Sequence, residues 1–529
     1  MDGMIPERNE GGADFVAAHE ANAATLRAAE IDLTEHDACG VGVVVALDGK
    51  ASRRVVQAGI DALKSVWHRG AVDADGKTGD GAGIHIEIPR DFFAEAVVRG
   101  GDTLRPGRIA VGQVFLPKTD LGAQERCRQI VETEILAFGY GIYGWRQVPI
   151  NVSVIGEKAN ATRPEIEQIM LYDPEGRDDA TVERDLYVIR RRIEKAAIAA
   201  QVADLYICSL SCRSIIYKGM FLAESLTEFY PDLTDERFVS RFAIYHQRYS
   251  TNTFPTWRLA QPFRMVAHNG EINTITGNVN WMKSHETRLA SPLLDQFMDD
   301  IKPVIQSGGS DTAILDNVFE VLVRAGRDAP MTKALMIPES VGNNATMPEA
   351  HRALFLYCNA VMEPWDGPAA LCGTDGRWVI AGMDRNGLRP MRYTITADGL
   401  LVVGSETGMV KLREDEIVAK GRVGPGQCIA VDLDAPKFYT DRELKDMLAA
   451  REDFGAWTRR TLHLDALIRT DSAEVARLTG EALRRRQLAA GLTLEELEMI
   501  LHPMVEEANE AVGSMGDDTP LAVLSDQYR

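Results

Sequence analysis

Residues 31–49 read IDLTEHDACGVGVVVALDG and mark a sharp change of character along the chain. The residues before Cys39 are rich in Ala, Glu and Asp, whereas the run of valines after Gly40 predicts a buried β-strand. Cys39 therefore stands at the lip of the first core strand. On these residues alone it is either a core cysteine or a nucleophile, with Gly40 leaving room for a substrate.

The composition is that of a soluble globular protein and argues against several classes of partner. The 529 residues are 45% hydrophobic and 26% charged, enough for a sizeable core and, by length, for about three domains. A net charge of −20 disfavours nucleic acid and anionic membranes, and no apolar window is long enough for a membrane span. The polar N-terminus is unlike a secretory signal, and the seven scattered cysteines suit reduced thiols in a cytoplasm.

Residues 1–38 carry one weak helical pattern and read as a leader rather than a domain. If they are removed, Cys39 gains a free α-amino group with a pKa of roughly 7.7–8.0, beside a thiol whose reference pKa is about 8.5. Such an amine can accept the thiol proton and so activate the nucleophile. The stretch therefore predicts processing before Cys39.

After the first strand, hydrophobic periodicity predicts helices and strands in mixed order. SRRVVQAGIDALKSVWH, residues 52–68, places Val56, Ile60, Leu63 and Trp67 on one helical face. GIHIEIP, residues 83–89, alternates isoleucines with polar residues and predicts a half-buried strand. Further strands are predicted in IAVGQVFLP, LYICSLSC, RSIIYKG, FAIYHQRYS, FRMVAHNG, LVVGSE and GQCIAVDL, and helices in NVNWMKSHETRLA and AILDNVFEVLVRAG. This order favours sheets covered by helices over a simple alternating Rossmann arrangement.

Beyond about residue 455 the chain becomes charged and helical. Thr493 and Glu496 fit a capping box that opens a helix. The final residues, GSMGDDTPLAVLSDQYR, include a strand-like piece with nothing to pair against. We expect either that a partner chain completes this piece or that the sequence is truncated.

Three familiar motifs do not fit the residues present. Residues 70–78 are one residue too long for a phosphate-binding P-loop and carry two aspartates where phosphate would lie. The same segment lacks the glycine and the final glutamate of a calcium loop, so its glycines indicate a turn or a close backbone approach. Cys208 and Cys212, in CSLSC, read as two core cysteines on one strand face rather than half of a zinc site.

Four residues in three polar stretches are candidates for a substrate site. Arg248, in HQRYSTNTFPTW, is either a surface arginine or a group that grips a carboxylate. Asn269 and Gly270, in AHNGEIN, are either a tight turn or paired donors to an oxyanion. Asp311, in QSGGSDTAIL, is either a helix N-cap or an anion for a substrate ammonium group.

Taken together, CGVGVVVALDG, HRGAVDADGKTGDGAGI, HQRYSTNTFPTW, AHNGEINT and SGGSDTA resemble the glutaminase domain of the glutamate synthase large subunit. That domain is a class II, N-terminal-nucleophile glutamine amidotransferase, and the resemblance covers residues 31–455. The tail motif GSMGDDTPLAVLS resembles the opening of the same family's central domain. The order and spacing of the motifs match throughout.

The resemblance implies a role for each candidate residue. Cys39 would be the nucleophile, and Asn269 with Gly270 would form the oxyanion hole. Arg248 would hold the α-carboxylate of L-glutamine and Asp311 its α-amino group. The implied reaction is hydrolysis of the glutamine side-chain amide through a Cys thioester, giving glutamate and ammonia. The alternative is a catalytically silent glutamine-binding or regulatory module that is never processed.

The resemblance also implies an α+β architecture, a four-layer αββα sandwich followed by a partial helical or α/β segment. We therefore predict a leader over residues 1–38, a glutaminase domain over 39–455, and a linker with a truncated central domain over 456–529. No cofactor is expected in this chain, because the FMN and the iron–sulfur cluster of the family belong to its synthase region. The expected partners are L-glutamine and a synthase domain or subunit that receives the ammonia. Neither nucleic acid nor a membrane is expected as a partner, and the expected location is the cytoplasm. The complete synthase reaction is not expected from this chain alone.

Overall fold

The computed structural model describes residues 39–202, 204–248, 253–342, 346–462, 464–467, 477–509 and 511. The predicted leader and the tail motif lie outside these residues. The chain divides into two compact units, Met1–Arg459 and Arg460–Arg529, which are described separately. Within the described ranges, no helix combines the length and apolar character needed to cross a membrane.

The strands of the first unit form three antiparallel sheets. The strands are β1 (Gly40–Ala46), β2 (Ala82–Glu87), β3 (Ile109–Leu116), β4 (Gly141–Gln147), β5 (Glu165–Tyr172), β6 (Tyr206–Ser211), β7 (Ser214–Gly219), β8 (Phe242–Gln247), β9 (Val266–Gly270), β10 (Ala369–Thr374), β11 (Trp378–Met383), β12 (Arg392–Thr396), β13 (Leu400–Gly404), β14 (Ile417–Arg422), β15 (Cys428–Asp432) and β16 (Lys437–Tyr439). The largest sheet has the strand order β14-β12-β13-β1-β8-β2-β7, the second β16-β15-β11-β10-β9, and the third β4-β5-β3-β6.

Helices connect many of the strands up to β9, whereas β10 to β16, all within the described residues 346–462, follow one another without an intervening α-helix. The α-helices of the first unit are α1 (Arg53–Ser65), α2 (Arg90–Arg99), α3 (Leu121–Ala137), α4 (Glu157–Ala161), α5 (Asp179–Ala199), α6 (Leu226–Phe229), α7 (Ile275–Glu286), α8 (Met298–Ile301), α9 (Asp311–Arg324), α10 (Ala329–Met336), α11 (Glu349–Val361), α12 (Asp441–Ala449) and α13 (Phe454–Thr458). Short 3₁₀ turns lie at Trp67–Arg69, Val152–Val154, Ala223–Ser225, Pro231–Thr234, Trp257–Leu259, Asp295–Phe297 and Glu414–Glu416.

The two larger sheets pack face to face. Val41, Val43 and Val45 of β1 point into one buried cluster with Ala370 and Cys372 of β10. Alternate residues of a strand face opposite sides of its sheet, so the intervening residues of β1 point the other way. The inner faces of the two sheets therefore share one apolar core.

Helices cover both outer faces of this pair. On the large sheet, Val44 shares a buried cluster with Val56 and Ile60 of α1. On the second sheet, Leu371 shares another with Leu315 of α9 and Leu354 of α11. The layers are thus helix, sheet, sheet and helix, and the predicted αββα sandwich is confirmed. The strands and helices predicted between residues 40 and 432 are also present.

A third sheet, which the sequence pattern does not separate from the other two, packs on its own helices. Its strands β3 and β5 share a buried cluster with α3 and α5, including Val114, Val131 and Ile189. The hydrophobic pattern of these strands resembles that of the sandwich strands, so periodicity alone could not assign them to a separate sheet.

Two details of the predicted elements are wrong. Strand β2 is buried on both faces rather than half-buried: Ile84 and Ile86 lie in the buried cluster that the large sheet shares with α1, and His85 on the other face is buried too. His85 consequently faces the interior and lies 2.7 Å, through Nε2, from Oγ of Ser214. Trp67 does not share the buried face of α1, since the helix ends at Ser65, and its side chain is 51% exposed.

The two cysteines of CSLSC are core residues, as predicted, but they do not share a strand face. Cys208 belongs to the buried cluster that includes residues of β2 and α1, whereas Cys212 belongs to the cluster that includes residues of α3 and α5. Cys212 follows the end of β6 at Ser211, and the pairing of β6 with β3 shifts register between Gln113 and Val114. Strict alternation therefore does not continue to Cys212.

The described part of the second unit is helical. It comprises α14 (Leu464–Leu467), α15 (Gly480–Ala489), α16 (Leu494–Glu496), a π-helical segment (Leu497–Leu501) and α17 (His502–Glu507). The predicted capping box is confirmed, with Thr493 and Glu496 exchanging side-chain and backbone hydrogen bonds.

Candidate active site

Cys39 and Asn269, which are far apart in sequence, meet at the edge of the sandwich. Cys39 directly precedes β1 and is half-buried. The side-chain amide of Asn269, on β9, donates a hydrogen bond of 2.8 Å to the backbone carbonyl of Cys39. The contact places a thiol-bearing residue beside the amide group of the predicted oxyanion hole.

Cys39 differs from the other cysteines in its exposure. The remaining six are all buried. Burial raises the pKa of the Cys127 and Cys428 thiols to about 11, and that of Cys208 and Cys358 to about 12. Since the thiolate is the reactive form, these buried thiols are poor nucleophiles. The interpretation of Cys39 as one more core cysteine is therefore wrong.

Asn269 and Gly270 end a strand rather than forming a tight turn. They pair with Ala370 and Ala369 of β10. Asn269 is buried, and its amide nitrogen carries two hydrogens. The bond to Cys39 uses one of them, so the second can serve another acceptor. The turn interpretation of this dipeptide is wrong.

Arg248 directly follows β8 and is only 6% exposed, so it is not a surface arginine. Its guanidinium donates to the backbone carbonyl of Leu259 at 3.2 Å and to Oγ1 of Thr253 at 2.5 Å. Its backbone N–H donates to the carbonyl of Gly81 at 2.8 Å. These contacts fix the direction of a long side chain before any ligand binds.

The charges around Arg248 connect it to the other site residues. Burial lowers the pKa of Arg248, while the charges of Cys39, Asp80 and Asp311 act in the opposite direction. An arginine stays protonated throughout the physiological range, so the site keeps a fixed cation. Arg248, Cys39 and Asp311 thus share one electrostatic environment.

Asp311 is the first residue of α9, but it is not the N-cap. Ser310 takes that position, and its side chain accepts a hydrogen bond from the N–H of Ala313. The carboxylate of Asp311 accepts the N–H of Ile272 at 3.0 Å, two residues beyond Gly270. Asp311 is therefore attached to the segment that follows the Asn-Gly pair, and the N-cap interpretation is wrong.

Asp80 and Gly81 are members of the site to which the sequence alone assigns no role. They belong to the glycine-rich segment TGDGAG, whose glycines indicate a turn or a close backbone approach. At Gly81 φ is +134°, and a Cβ would lie 2.9 Å from Cβ of Ala260. The glycines thus predict a close backbone approach at this segment, but only the structure shows that the approaching residue is Arg248, whose backbone N–H donates to the carbonyl of Gly81.

The preceding segment forms a turn, one of the two conformations that its glycines indicate. Val72 and Gly79 form an isolated β-bridge, and the carboxylate of Asp75 accepts hydrogen bonds from Lys77 and Thr78. The bonds from Thr78 contribute most to lowering the pKa of Asp75 to about 2. The acidic side chain is thus used within the turn.

The five candidate residues therefore lie in one site, and their arrangement suits both binding of an amino acid and attack on a carbonyl group. A fixed guanidinium and a carboxylate can hold the two charges of a free amino acid. A half-buried thiol beside amide donors can attack a carbonyl and stabilise the resulting oxyanion. The individual roles of these residues remain a prediction.

Comparison with known families identifies most of the chain. Residues 39–457 match the family described as glutamine amidotransferases class-II. Residues 485–529 match the glutamate synthase central domain.

Curated relatives resemble the chain over nearly its whole length. The large chain of glutamate synthase [NADPH] from Azospirillum brasilense is 64% identical over 99% of this chain and 35% of its own length. The chloroplastic ferredoxin-dependent glutamate synthase of Spinacia oleracea is 41% identical over 93% of this chain and 30% of its own length. The chain thus spans about a third of the length of these relatives.

Among solved structures, glutamine phosphoribosylpyrophosphate amidotransferase from Bacillus subtilis is 15% identical, with a TM-score of 0.26. The match covers 63% of this chain and 49% of that one. A likeness this weak adds nothing to the assignment.

Proposed function

The chain belongs to the class II glutamine amidotransferase family, and we propose that it hydrolyses the side-chain amide of L-glutamine with Cys39 as the nucleophile. The observation that carries this proposal is the 2.8 Å hydrogen bond from the amide of Asn269 to the carbonyl of Cys39. It brings the proposed nucleophile and the proposed oxyanion donor together from opposite sheets of the sandwich.

Substrate binding would use the two fixed charges of the site. Arg248 would receive the α-carboxylate of glutamine, since its contacts to Thr253 and Leu259 already orient the guanidinium. Asp311 would receive the α-ammonium group. A peptide-bound glutamine lacks both free charges, and leaving either partner unpaired in a buried site is costly. The site would therefore select the free amino acid.

The first chemical step forms a thioester. With the leader removed, the α-amino group of Cys39 would take the thiol proton, and Sγ would form a bond to the amide carbon of glutamine. Asn269 and Gly270 would donate to the oxyanion, where one lost donor costs on the order of 10²–10³ in rate. As the oxyanion collapses, the amide nitrogen takes the proton, its bond to carbon breaks and ammonia leaves.

The second step returns the enzyme to its starting state. Water gives a proton to the α-amino group and adds to the thioester carbon. The bond between carbon and Sγ then breaks, glutamate leaves, and the thiol regains its proton. The sum is glutamine plus water giving glutamate plus ammonia, with every proton assigned to a group of this chain or to water.

We further propose that the ammonia serves glutamate synthesis by a synthase domain or subunit. Support comes from the match of residues 485–529 to the glutamate synthase central domain and from the relatives' names. FMN and the iron–sulfur cluster would belong to the synthase region of such an assembly rather than to residues of this chain. We also propose a cytoplasmic location, which the reduced, buried cysteines favour.

The experiment that tests the proposal combines intact mass with glutamine turnover. Protein purified from its cytoplasm of origin should begin at Cys39 and should release equal amounts of ammonia and glutamate from L-glutamine. The C39A variant should be inactive. C428A, which removes a buried thiol in β15, is the matched control and should keep its activity per folded molecule.

Two outcomes would overturn the proposal. Protein that keeps its leader and binds glutamine without turning it over would support the silent module instead. Turnover that survives in C39A would assign the nucleophile elsewhere.

A further inference from the structure

Asp316, in the second turn of α9, is a fully buried carboxylate that holds the beginning of β9. One of its oxygens accepts the N–H of Met265 at 2.8 Å and that of Val266 at 3.1 Å. The other accepts the N–H of Arg264 at 3.3 Å. The side chain has no exposed surface. Three successive peptide groups at the start of the strand are therefore tied to one side chain of the helix.

Two more contacts join the same helix to the same strand. Oγ1 of Thr312 lies 3.0 Å from Nδ1 of His268, in the middle of β9. The carboxylate of Asp311 accepts the N–H of Ile272 just beyond the strand's end. Thr312 and Asp316 are one helical turn apart and so lie on the same side of α9. The helix thus holds β9 before, within and after the strand.

These contacts connect two halves of the proposed site. Strand β9 carries Asn269 and Gly270, and α9 carries Asp311. The distance between oxyanion donors and ammonium-binding carboxylate therefore depends on how the strand sits on the helix. We infer that Asp316 is a positioning residue that fixes this distance, an inference that rests on the proposed glutamine hydrolysis.

The surroundings of Asp316 make a buried carboxylate costly at this position, so its role differs from that of an apolar core residue. Glu320 lies nearby on α9 and is paired with Arg190 of α5 at 2.5 Å. Burial and Glu320 raise the pKa of Asp316 to about 6, while Arg264 and the amides of Met265 and Val266 oppose this shift. Burying a carboxylate costs free energy that an apolar side chain would not. What the carboxylate of Asp316 contributes is the set of hydrogen bonds from three backbone N–H groups, which an apolar residue could not accept.

The test is the D316N variant, which keeps the size of the side chain but replaces an acceptor oxygen with a donor. An amide has one acceptor oxygen, so it cannot accept the hydrogen bonds from Met265 and Val266 on one oxygen and that from Arg264 on the other, as the carboxylate does. A small displacement of reacting groups is expensive, so kcat for glutamine should fall on the order of 10- to 100-fold. KM should change much less, because Arg248 and Asp311 remain in place. Active sites are counted by alkylation of the thiol with a diazoketone analogue of glutamine.

Two further variants separate positioning from general stability. D375N is the control variant. Asp375 lies at a turn outside β9, and its carboxylate also accepts three backbone N–H groups, those of Ala329, Arg377 and Trp378. D375N should lower the melting temperature while leaving kcat per active site unchanged. T312V removes the contact to His268 and should lower kcat like D316N. If D316N does not fold, the kcat of T312V decides whether the contacts between α9 and β9 position the site.

Several results would overturn the inference. One is a normal kcat per active site in both D316N and T312V, whatever the loss of stability. Another is an equal fall of kcat in D375N. If wild-type protein turns over no glutamine, the proposed function fails separately, and hydrogen exchange then decides. Residues 264–272 should exchange faster in D316N, and unchanged protection there would refute the role of Asp316.

Discussion

The Cα atom of Gly270 faces the backbone carbonyl of Pro368 so closely that a Cβ would lie 1.7 Å from its oxygen. At Gly270 φ is +144°, a conformation that residues with side chains rarely adopt. Both facts require glycine at the position where β9 ends beside Cys39. The geometry of the proposed oxyanion hole therefore depends on the absence of a single carbon atom.

We expect G270A to lose nearly all glutaminase activity. The new methyl group must push the strand end away from Pro368, which displaces both Gly270 and Asn269, and the unfavourable backbone adds a cost on the order of 1–3 kcal/mol. Steady-state kinetics and a thermal unfolding curve measure the two effects. The matched control is G277A in α7, where no atom other than those of the adjoining residues and the backbone of the helix itself lies within 4 Å of the added Cβ. That variant should keep its activity and gain up to about 1 kcal/mol, since alanine favours a helix.

Removing the side chain of Asn269 should reduce kcat on the order of 10²–10³-fold, because one donor to the oxyanion is lost. The KM for glutamine should change little, since the donor acts on charge that develops only in the transition state. Steady-state kinetics of N269A, with active sites counted by thiol alkylation, give both constants. A large rise in KM with unchanged kcat would show that Asn269 binds the ground state instead.

Much of this architecture could be predicted from short-range patterns, and the failures have a common physical origin. The run of valines after Gly40 predicts β1, and the helical spacing of Val56, Ile60 and Leu63 predicts α1, because each pattern depends only on neighbouring residues. The burial of His85 depends on β7 and β8, which lie far along the chain. No local signal reports such neighbours.

The candidate site shows the same division. Cys39, Arg248, Asn269, Gly270 and Asp311 could be identified because their motifs resemble those of a known family. Asp316 could not, since an aspartate inside an amphipathic helix ordinarily predicts a solvated face. Its partners are backbone amides about 50 residues away, and amides carry no signature in the sequence. Long-range bonds to the main chain are thus what sequence reasoning misses.

Asp311 should control the requirement for a free α-ammonium group. In D311N the amide oxygen can still accept the N–H of Ile272, but the charge is gone. A hydrogen bond to a charged group contributes about 1.5–3 kcal/mol, so kcat/KM for glutamine should fall roughly 10- to 150-fold. The discrimination against N-acetylglutamine, which has no ammonium group, should shrink by a similar factor. Unchanged discrimination would assign ammonium recognition to another residue.

Arg248 should show the complementary selectivity. R248K keeps the charge but loses the planar fork, so the contacts to Leu259 and Thr253 and the paired bonds to a carboxylate cannot all persist. We expect KM for glutamine to rise at least tenfold, corresponding to about 1.4 kcal/mol. The preference for glutamine over glutaminamide, which lacks the carboxylate, should fall by a similar factor. The control is K445R: Lys445 lies on α12 and forms ion pairs with Glu339 and with Asp441, away from the proposed site.

Two buried histidines should make the fold sensitive to mild acid. Burial lowers the pKa of His85 to about 3 and that of His246 to about 3, whereas an unfolded histidine titrates near its reference pKa of about 6.5. Between these values the unfolded chain binds protons that the folded chain excludes. The free energy of unfolding therefore falls as pH drops below about 6.5, by up to about 1.4 kcal/mol per pH unit for each histidine. More than about one pH unit above 6.5 the two groups contribute almost no slope, because few unfolded histidines are protonated there.

The H85Q variant isolates one of these contributions. Glutamine does not titrate and can still form a hydrogen bond with Oγ of Ser214, so the variant should lose less stability than wild type between pH 7 and 5.5. Urea unfolding at the two pH values measures the difference, which should shrink by about 1 kcal/mol. H502Q replaces an exposed histidine of α17 and should leave the difference as it is in wild type. An H85Q protein with the full wild-type loss would mean that His85 takes up a proton in the folded state, because only then would its removal leave the acid sensitivity untouched.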